Sequence, residues 1–393
     1  MTAFGGAAER PGPAAAQFGL TAAQRDFAAQ VRAQAAEELR PLAEAGQPGR
    51  VNRELLRAMG RLGLLARLFP GAAAGTPSRE ASAMDLCLLR ESLATASTEA
   101  ETALALQGLG SYPVLQSGSD EQVRRWLPAV AAGTAVAAFA LSEPGAGSDA
   151  AALELAAVPD REGWRLTGIK TWISNAPEAD FYTVFARTTP GERARGVSAF
   201  CVPADRPGLS GTHLDMVSPH PIGTLTFDGV AVYPDELLGE PDRGFAVAMR
   251  TLERFRPSVG AFAVGMAQAA LEAAGEYAAS RTAFGGPLKD QQAVAHLLAE
   301  MATRTEAARL LVYSAAAALD EGTPGVAGRS AMAKLFATEA AQFVVDSAVQ
   351  IHGARALERG HLLEHLYREV RAPRIYEGAS EIQRTIIARQ LFG

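Results

Sequence analysis

The chain has 393 residues, 48% of them hydrophobic, with a net charge of −6 and two cysteines. That length exceeds one ordinary domain and implies roughly two or three sub-domains around a large core, while the mild acidity excludes the basic patches of a nucleic-acid binder. Cys87 and Cys201 stand too far apart for a redox or metal motif, which suits a reducing compartment without a disulfide framework.

No apolar run is long enough to span a bilayer. Residues 1–18, rich in Ala, Gly and Pro, lack the apolar stretch of a secretory signal and read as a disordered lead-in. The terminal Leu391-Phe392-Gly393 is not a peroxisomal address. A cytoplasmic protein is expected.

Residues 19–134 read as a helical domain. Apolar residues at helical spacing run from Thr21 to Arg40, opened by a Thr cap and closed by Pro41. Asn52 to Leu65 repeats the pattern behind an Asn cap. A Gly/Ala/Pro-rich loop at 70–77 precedes helices at Ala83–Leu93, Thr98–Gly108 and Asp120–Val130. Residues 135–240 change period. Val136–Leu141, Trp164–Ser174, Asp180–Arg187, Val197–Val202 and Thr224–Val232 read as strands, with Asp228-Gly229 as a two-residue hairpin turn. Consecutive strands with turn punctuation predict a small antiparallel barrel or sandwich. Residues 241–393 return to long helices: Phe245–Arg281 with a kink expected at Pro257, Asp290–Asp320, and Val326–His352. The predicted class is α+β, mainly α, ending in a four-helix bundle.

Near the end, Ser380 and Gln383 form a capping-box signature, so a helix starts just after Ser380. Glu377 then lies on the turn before that helix, with Gly378 beside it to allow close backbone approach. An acidic residue at this place also suits the helix dipole with no further role. Earlier, Gly145-x-Gly147-x-x-Ala150 mimics a dinucleotide fingerprint. Ser-Glu-Pro separates it from its strand, however, and hairpin-like strands follow instead of a βαβ unit.

Taken together, these stretches resemble the acyl-CoA dehydrogenase family over about Phe18 to Gly393. Tyr376–Gln383 is similar to its C-terminal signature, Leu141–Asp149 to its flavin-contact signature, and Gly168–Asn175 to its strand with a flavin-packing Trp. Arg281–Gly285 with Gln292, and Gln350–Ala354, resemble its dinucleotide contacts. The resemblance implies FAD, held in part by Phe139, Leu141, Ser142, Gly147 and Ser148. Trp172 would pack on the flavin and Ser174, where many relatives have Thr, would hydrogen-bond near its N5 edge. Arg281, Phe284 and Gln292 would serve the FAD of a neighbouring subunit, with Gln350, Gly353, Ala379 and Glu381 completing the site. Ala354 replaces the second Gly of the family's turn, and His352 within it reads as a structural histidine.

By the same resemblance Glu377 is the catalytic base, which removes the α-proton of an acyl thioester while hydride leaves for flavin N5. Ser148, Arg256, Tyr376 and Gly378 would contact the substrate, and small residues such as Ala103 and Ala105 would line the acyl tail. Some branches take the base from the long helix. The aligned position here is Phe255, and Glu253 points about 200° away around the helix. Departures fall at Phe69–Gly75 and at Met216–Ile222, where His220-Pro221 breaks the common pattern. The implied partners are an acyl-CoA, or alternatively an acyl-carrier-protein thioester, an electron-transfer flavoprotein, and three further copies in a homotetramer. No metal, nucleic acid or membrane is implied. An oxidase, a flavin monooxygenase or a flavinless interaction protein on the same fold stays open.

Overall fold

The computed structural model describes residues 20–72, 80–191 and 193–392. The expected lead-in over residues 1–18, and the 70–77 loop from residue 73 onward, lie outside the described residues.

Thr21 opens α1 (Ala22–Gln34) with a full capping box: its hydroxyl accepts from the Gln24 N–H at 3.2 Å, and the Gln24 side chain accepts from the Thr21 N–H at 2.9 Å. Pro41 does not close this run as expected. A π-helical stretch, Ala35–Leu39, leads into α2 (Arg40–Glu44), where Pro41 sits in the first turn and its missing N–H is not needed. Asn52 caps α3 (Arg53–Arg61) by accepting from the Leu55 N–H at 3.0 Å. Then come α4 (Ala83–Ala96), α5 (Thr98–Ser117) and α6 (Asp120–Ala131). Every residue of α4 from Leu86 to Ala94 is buried, which explains its lack of a polar stripe.

The strands are β1 (Ala137–Ala140), β2 (Ala156–Asp160), β3 (Gly163–Ser174), β4 (Phe181–Arg187), β5 (Val197–Pro203), β6 (Leu209–His213) and β7 (Ile222–Val232). They form one mixed seven-stranded sheet, not the antiparallel one expected: β1 pairs with β4 in parallel, and β4 also takes β5 antiparallel. Asp228-Gly229 is not a hairpin turn. β7 continues through it, because β3 is long enough to pair with both halves. Leu166 pairs with Val230 and Gly168 with Phe227, so the two residues form a bulge with Gly229 at φ 65°. Gln107 of α5 binds the sheet edge like a strand, donating to Ala135 O at 2.7 Å and accepting from the Ala137 N–H at 2.8 Å. One turn on, Gly110 touches β1 so closely that a Cβ would fall 2.8 Å from the Ala137 carbonyl carbon.

α7 (Gly244–Ser280) runs unbroken through Pro257. A small hairpin, β8 (Thr282–Ala283) and β9 (Gly286–Pro287), turns the chain into α8 (Gln292–Asp320). α9 (Val326–His352), α10 (Leu362–Glu369) and α11 (Ser380–Phe392) complete it. One core joins the N-terminal helices to the sheet, and a second joins α4 to α7, α8 and α9. His220, in the loop before β7, pairs with Glu369 of α10 at 2.8 Å, and Ser218 donates to the same carboxylate. Cys87 and Cys201 are free and buried. Among the described residues, no helix is long and apolar enough to cross a membrane, and no three or more metal-ligating side chains converge.

Candidate active site

Glu377 sits on the turn before α11 with φ 50°, a left-handed conformation that costs an ordinary residue roughly 1–2 kcal/mol. Two side chains hold it there. Lys334 of α9 donates to Tyr376 O at 3.0 Å and Gly378 O at 2.6 Å, and Gln383 Nε2 donates to Gly378 O at 2.7 Å. Gly378 is required: its φ is 88°, and a Cβ would lie 2.6 Å from Gln383 Nε2. The expected capping box is therefore absent. Gln383 points back at carbonyls, and Ser380, the first residue of α11, donates to Glu339 of α9 at 2.8 Å.

Glu377 Oε2 is buried without a hydrogen-bond partner, as is Arg256 Nε on α7. Burial pushes the Glu377 carboxyl up from its ordinary 4.5, and the charges of Arg90, Lys334 and Arg256 pull it partly back. Among the described residues the Glu377 N–H also lacks a partner. The turn thus presents an unpaired carboxylate beside a free amide donor.

A second group forms on the sheet. The turn after β1 is bolted to β3 by Lys170, fully buried, whose Nζ reaches Leu141 O at 2.9 Å and Glu143 Oε1 at 2.8 Å. The Thr171 N–H donates to Ser142 O at 3.0 Å. The turn therefore lies directly beside Trp172, which a bulge in β3 holds at φ 55° with 49% of its surface exposed. Gly145 and Gly147 have open space where side chains would project. Ser148 is exposed, and Ser142, Phe139 and Ser174 are half-buried. An uncovered indole beside open backbone amides and hydroxyls suits a flat, polar-edged ring system.

The remaining expected residues lie elsewhere. Arg281, Phe284 (93% exposed) and Gln292 cluster at the end of α7 and start of α8, and Gln350 and Gly353 end α9. Tyr277 stacks on His352 at 4.2 Å, which brings these two ends together. His352 shares a hydrogen bond with Ala348 O at 3.0 Å. Glu381 is exposed and pairs with Arg384, while Ala379 is half-buried. Ala103 opens onto a cavity of about 160 Å³ that also touches Asn175, His220 and Glu369. Sequence reasoning missed Lys334, Lys170 and Arg90. The signal was there in part: Lys334 lies in register with Ala331, Thr338 and Ala341 on a buried face, where a lone cation needs partners.

A buried carboxylate oxygen left unpaired on a strained turn is a candidate functional group, since a purely structural acid is usually hydrogen-bonded. Family models for the acyl-CoA dehydrogenase N-terminal, middle and C-terminal domains match residues 21–134, 138–230 and 242–392. The short-chain specific acyl-CoA dehydrogenase of Bos taurus mitochondria is 39% identical over 93% of this chain and 88% of its own. Butyryl-CoA dehydrogenase from Megasphaera elsdenii superposes with a TM-score of 0.89 at 32% identity, covering 96% of this chain and 100% of that one. PigA, solved with FAD and proline, gives 0.89 at 27% identity, covering 95% and 99%. The chain belongs to the acyl-CoA dehydrogenase family and is an oxidoreductase.

Proposed function

We propose that this enzyme dehydrogenates an acyl thioester across its α and β carbons, with Glu377 as the base. The observation that carries this reading is the free Glu377 carboxylate on its clamped turn. An α C–H next to a thioester is a weak acid, so a base whose pKa is raised by exclusion of water matches it better than an ordinary carboxylate. The unpartnered Glu377 N–H is suited to accept charge building on the thioester oxygen, as an oxyanion donor does. Arg256, Tyr376, Gly378 and Ser148 would position the substrate.

The cofactor is FAD, and when bound it supplies the hydride acceptor. Trp172, Ser174, Phe139, Leu141, Ser142, Gly147 and Ser148 would hold its ring end. Arg281, Phe284 and Gln292 would reach the FAD of a neighbouring copy, with Gln350, Gly353, Ala379 and Glu381 closing the site in a homotetramer. An electron-transfer flavoprotein would be the acceptor, and the cytoplasm, where two free thiols stay reduced, the setting.

Anaerobic titration of the yellow holoenzyme with CoA and carrier-protein thioesters tests this, followed by loss of flavin absorbance. Bleaching by one thioester class, abolished in Glu377→Gln with FAD retained, is the expected result. Bleaching that survives in the variant would place the base elsewhere.

A further inference from the structure

Glu339 of α9 holds both ends of the base turn with one carboxylate. Its Oε1 accepts from Ser380 Oγ at 2.8 Å, and its Oε2 pairs with Arg374 Nη2 at 2.8 Å. Arg374 and Ser380 stand three residues on either side of Glu377, so the seven residues between and including them are tied into a closed loop with Glu377 at its midpoint. Arg374 ends a 3-10 turn (Ala372–Arg374) and Ser380 begins α11, so the tie joins the two points where the loop leaves regular structure. Lys334, which holds the middle of the loop, lies five residues earlier on the same helix, or about 7.5 Å along its axis.

Fastening α11 does not account for this arrangement. α11 is already seated on α9 at its far end, where a Cβ on Gly328 would lie 1.4 Å from Gln390 Oε1, and Arg374 is not part of α11. Stability does not account for it either. The Arg374 and Glu339 side chains are 29% and 33% exposed, and ion pairs open to solvent add little. Burial alone would raise the Glu339 carboxyl, but Ser380 and Arg374 outweigh it and hold the group below its ordinary 4.5. Glu377 is pushed up from the same value, so Glu339 is charged wherever the base is. What the tie supplies is orientation. Lys334 and Gln383 grip carbonyls at the middle of the loop, which fixes where the turn lies and leaves its ends to rock about them. Glu339 holds those ends.

We propose that Glu339 is a positioning residue for the base: by tying Arg374 to Ser380 it sets the direction in which the Glu377 carboxylate meets the α C–H. The proposal rests on the reading of Glu377 as the base. Glu339 acts through the two ends of the loop, so its loss is felt in proton abstraction and not in thioester binding.

The test is single-turnover flavin reduction under anaerobic conditions, with saturated straight-chain acyl-CoA thioesters. The one that bleaches the wild type fastest is then used on Glu339→Ala, Glu339→Gln and Arg374→Ala/Ser380→Ala. Glu339→Ala is expected to slow reduction at saturation at least about tenfold, since a shift of about 1 Å at a reacting group costs about 100-fold. The half-saturating concentration should stay within about twofold, and the amplitude per bound FAD should not change, whereas a smaller folded fraction would lower amplitude and leave the rate alone. Glu339→Gln, which keeps an oxygen for Ser380, should fall between Glu339→Ala and the wild type. Adding Glu339→Ala to Arg374→Ala/Ser380→Ala should cost nothing more, because the two sets remove the same tie. A wild-type rate in Glu339→Ala, a loss confined to amplitude or half-saturation, or full additivity of the two sets would overturn the proposal. A wild type whose flavin no thioester reduces, or bleaching that survives in Glu377→Gln, would overturn the base reading and the positioning role with it.

Discussion

Lys334→Met removes the clamp on the base turn while keeping an apolar stem of similar length. Nζ donates to Tyr376 O at 3.0 Å and to Gly378 O at 2.6 Å. A hydrogen bond from a charged donor contributes about 1.5–3 kcal/mol, so the two together exceed the roughly 1–2 kcal/mol strain of the left-handed backbone at Glu377. In the variant Gly378 O keeps Gln383 at 2.7 Å, whereas Tyr376 O keeps nothing. Stability should fall by less than about 3 kcal/mol, the upper cost of one unsatisfied carbonyl, because burial already holds the Lys334 pKa down to about 8 and losing that amine relieves a desolvation cost. Turnover should fall by about 100-fold, the penalty for a catalytic group displaced by about 1 Å. Lys334 also pulls the Glu377 carboxyl down. Without it the base holds its proton to higher pH, and the acidic limb of the kcat/KM profile should move up. Steady-state kinetics across pH, beside a urea melt, reads all three quantities. Unchanged kcat with an unmoved acidic limb would refute the clamp.

Two further substitutions probe the frame. His220 is held above its ordinary 6.5, burial outweighed by Glu369, and Glu369 is held down to about 2, its own burial outweighed by His220. The Glu369 contribution to stability is complete above about 4.5 and lost as pH falls towards about 2, and that of His220 is complete below about 6.5 and lost as pH rises through its raised value. His220→Ala should therefore lose most stability between those two ordinary values and progressively less above them; a penalty that grows into alkaline pH would contradict the pairing. Lys170→Met removes the cation beside Glu143, whose carboxylate keeps the Glu154 and Leu155 N–H groups at 2.6 and 2.9 Å, so it should cost less than the roughly 3–5 kcal/mol of a buried charge left with no partner, and loosen the turn proposed to hold FAD. A variant purified with full flavin absorbance and an unshifted melting temperature would show that Lys170 does not fasten that turn.

Much of this was legible in the chain because short motifs carry local geometry. Thr21 and Asn52 announce their caps, and Gly378 announces a turn no side chain could join. What was hidden depends on partners far away in sequence. Asp228-Gly229 has the composition of a hairpin turn, and only the length of β3 on the opposite side makes it a bulge. Ser380 and Gln383 have capping-box spacing, but Glu339 on α9 and the strained carbonyls of 377 and 378 compete for their side chains and win. The parallel pairing of β1 with β4 likewise leaves no mark on either strand. Arg90, Lys170 and Lys334 are single cations inside apolar runs, and nothing local says whom they face.

α7 also acts as a ruler. Arg256, which faces Glu377, and Arg281 at its far end are separated by 25 residues of one continuous helix, or roughly 37 Å at the standard rise. One rigid rod therefore cannot bring both residues to the same reaction centre. If Arg256 positions the substrate and Arg281 serves a flavin, as proposed, that flavin belongs to another copy's site, and every copy lends its far end to a neighbour. Cofactor retention and subunit association would then be a single equilibrium: dilution would shed flavin, and stripping flavin would loosen the assembly.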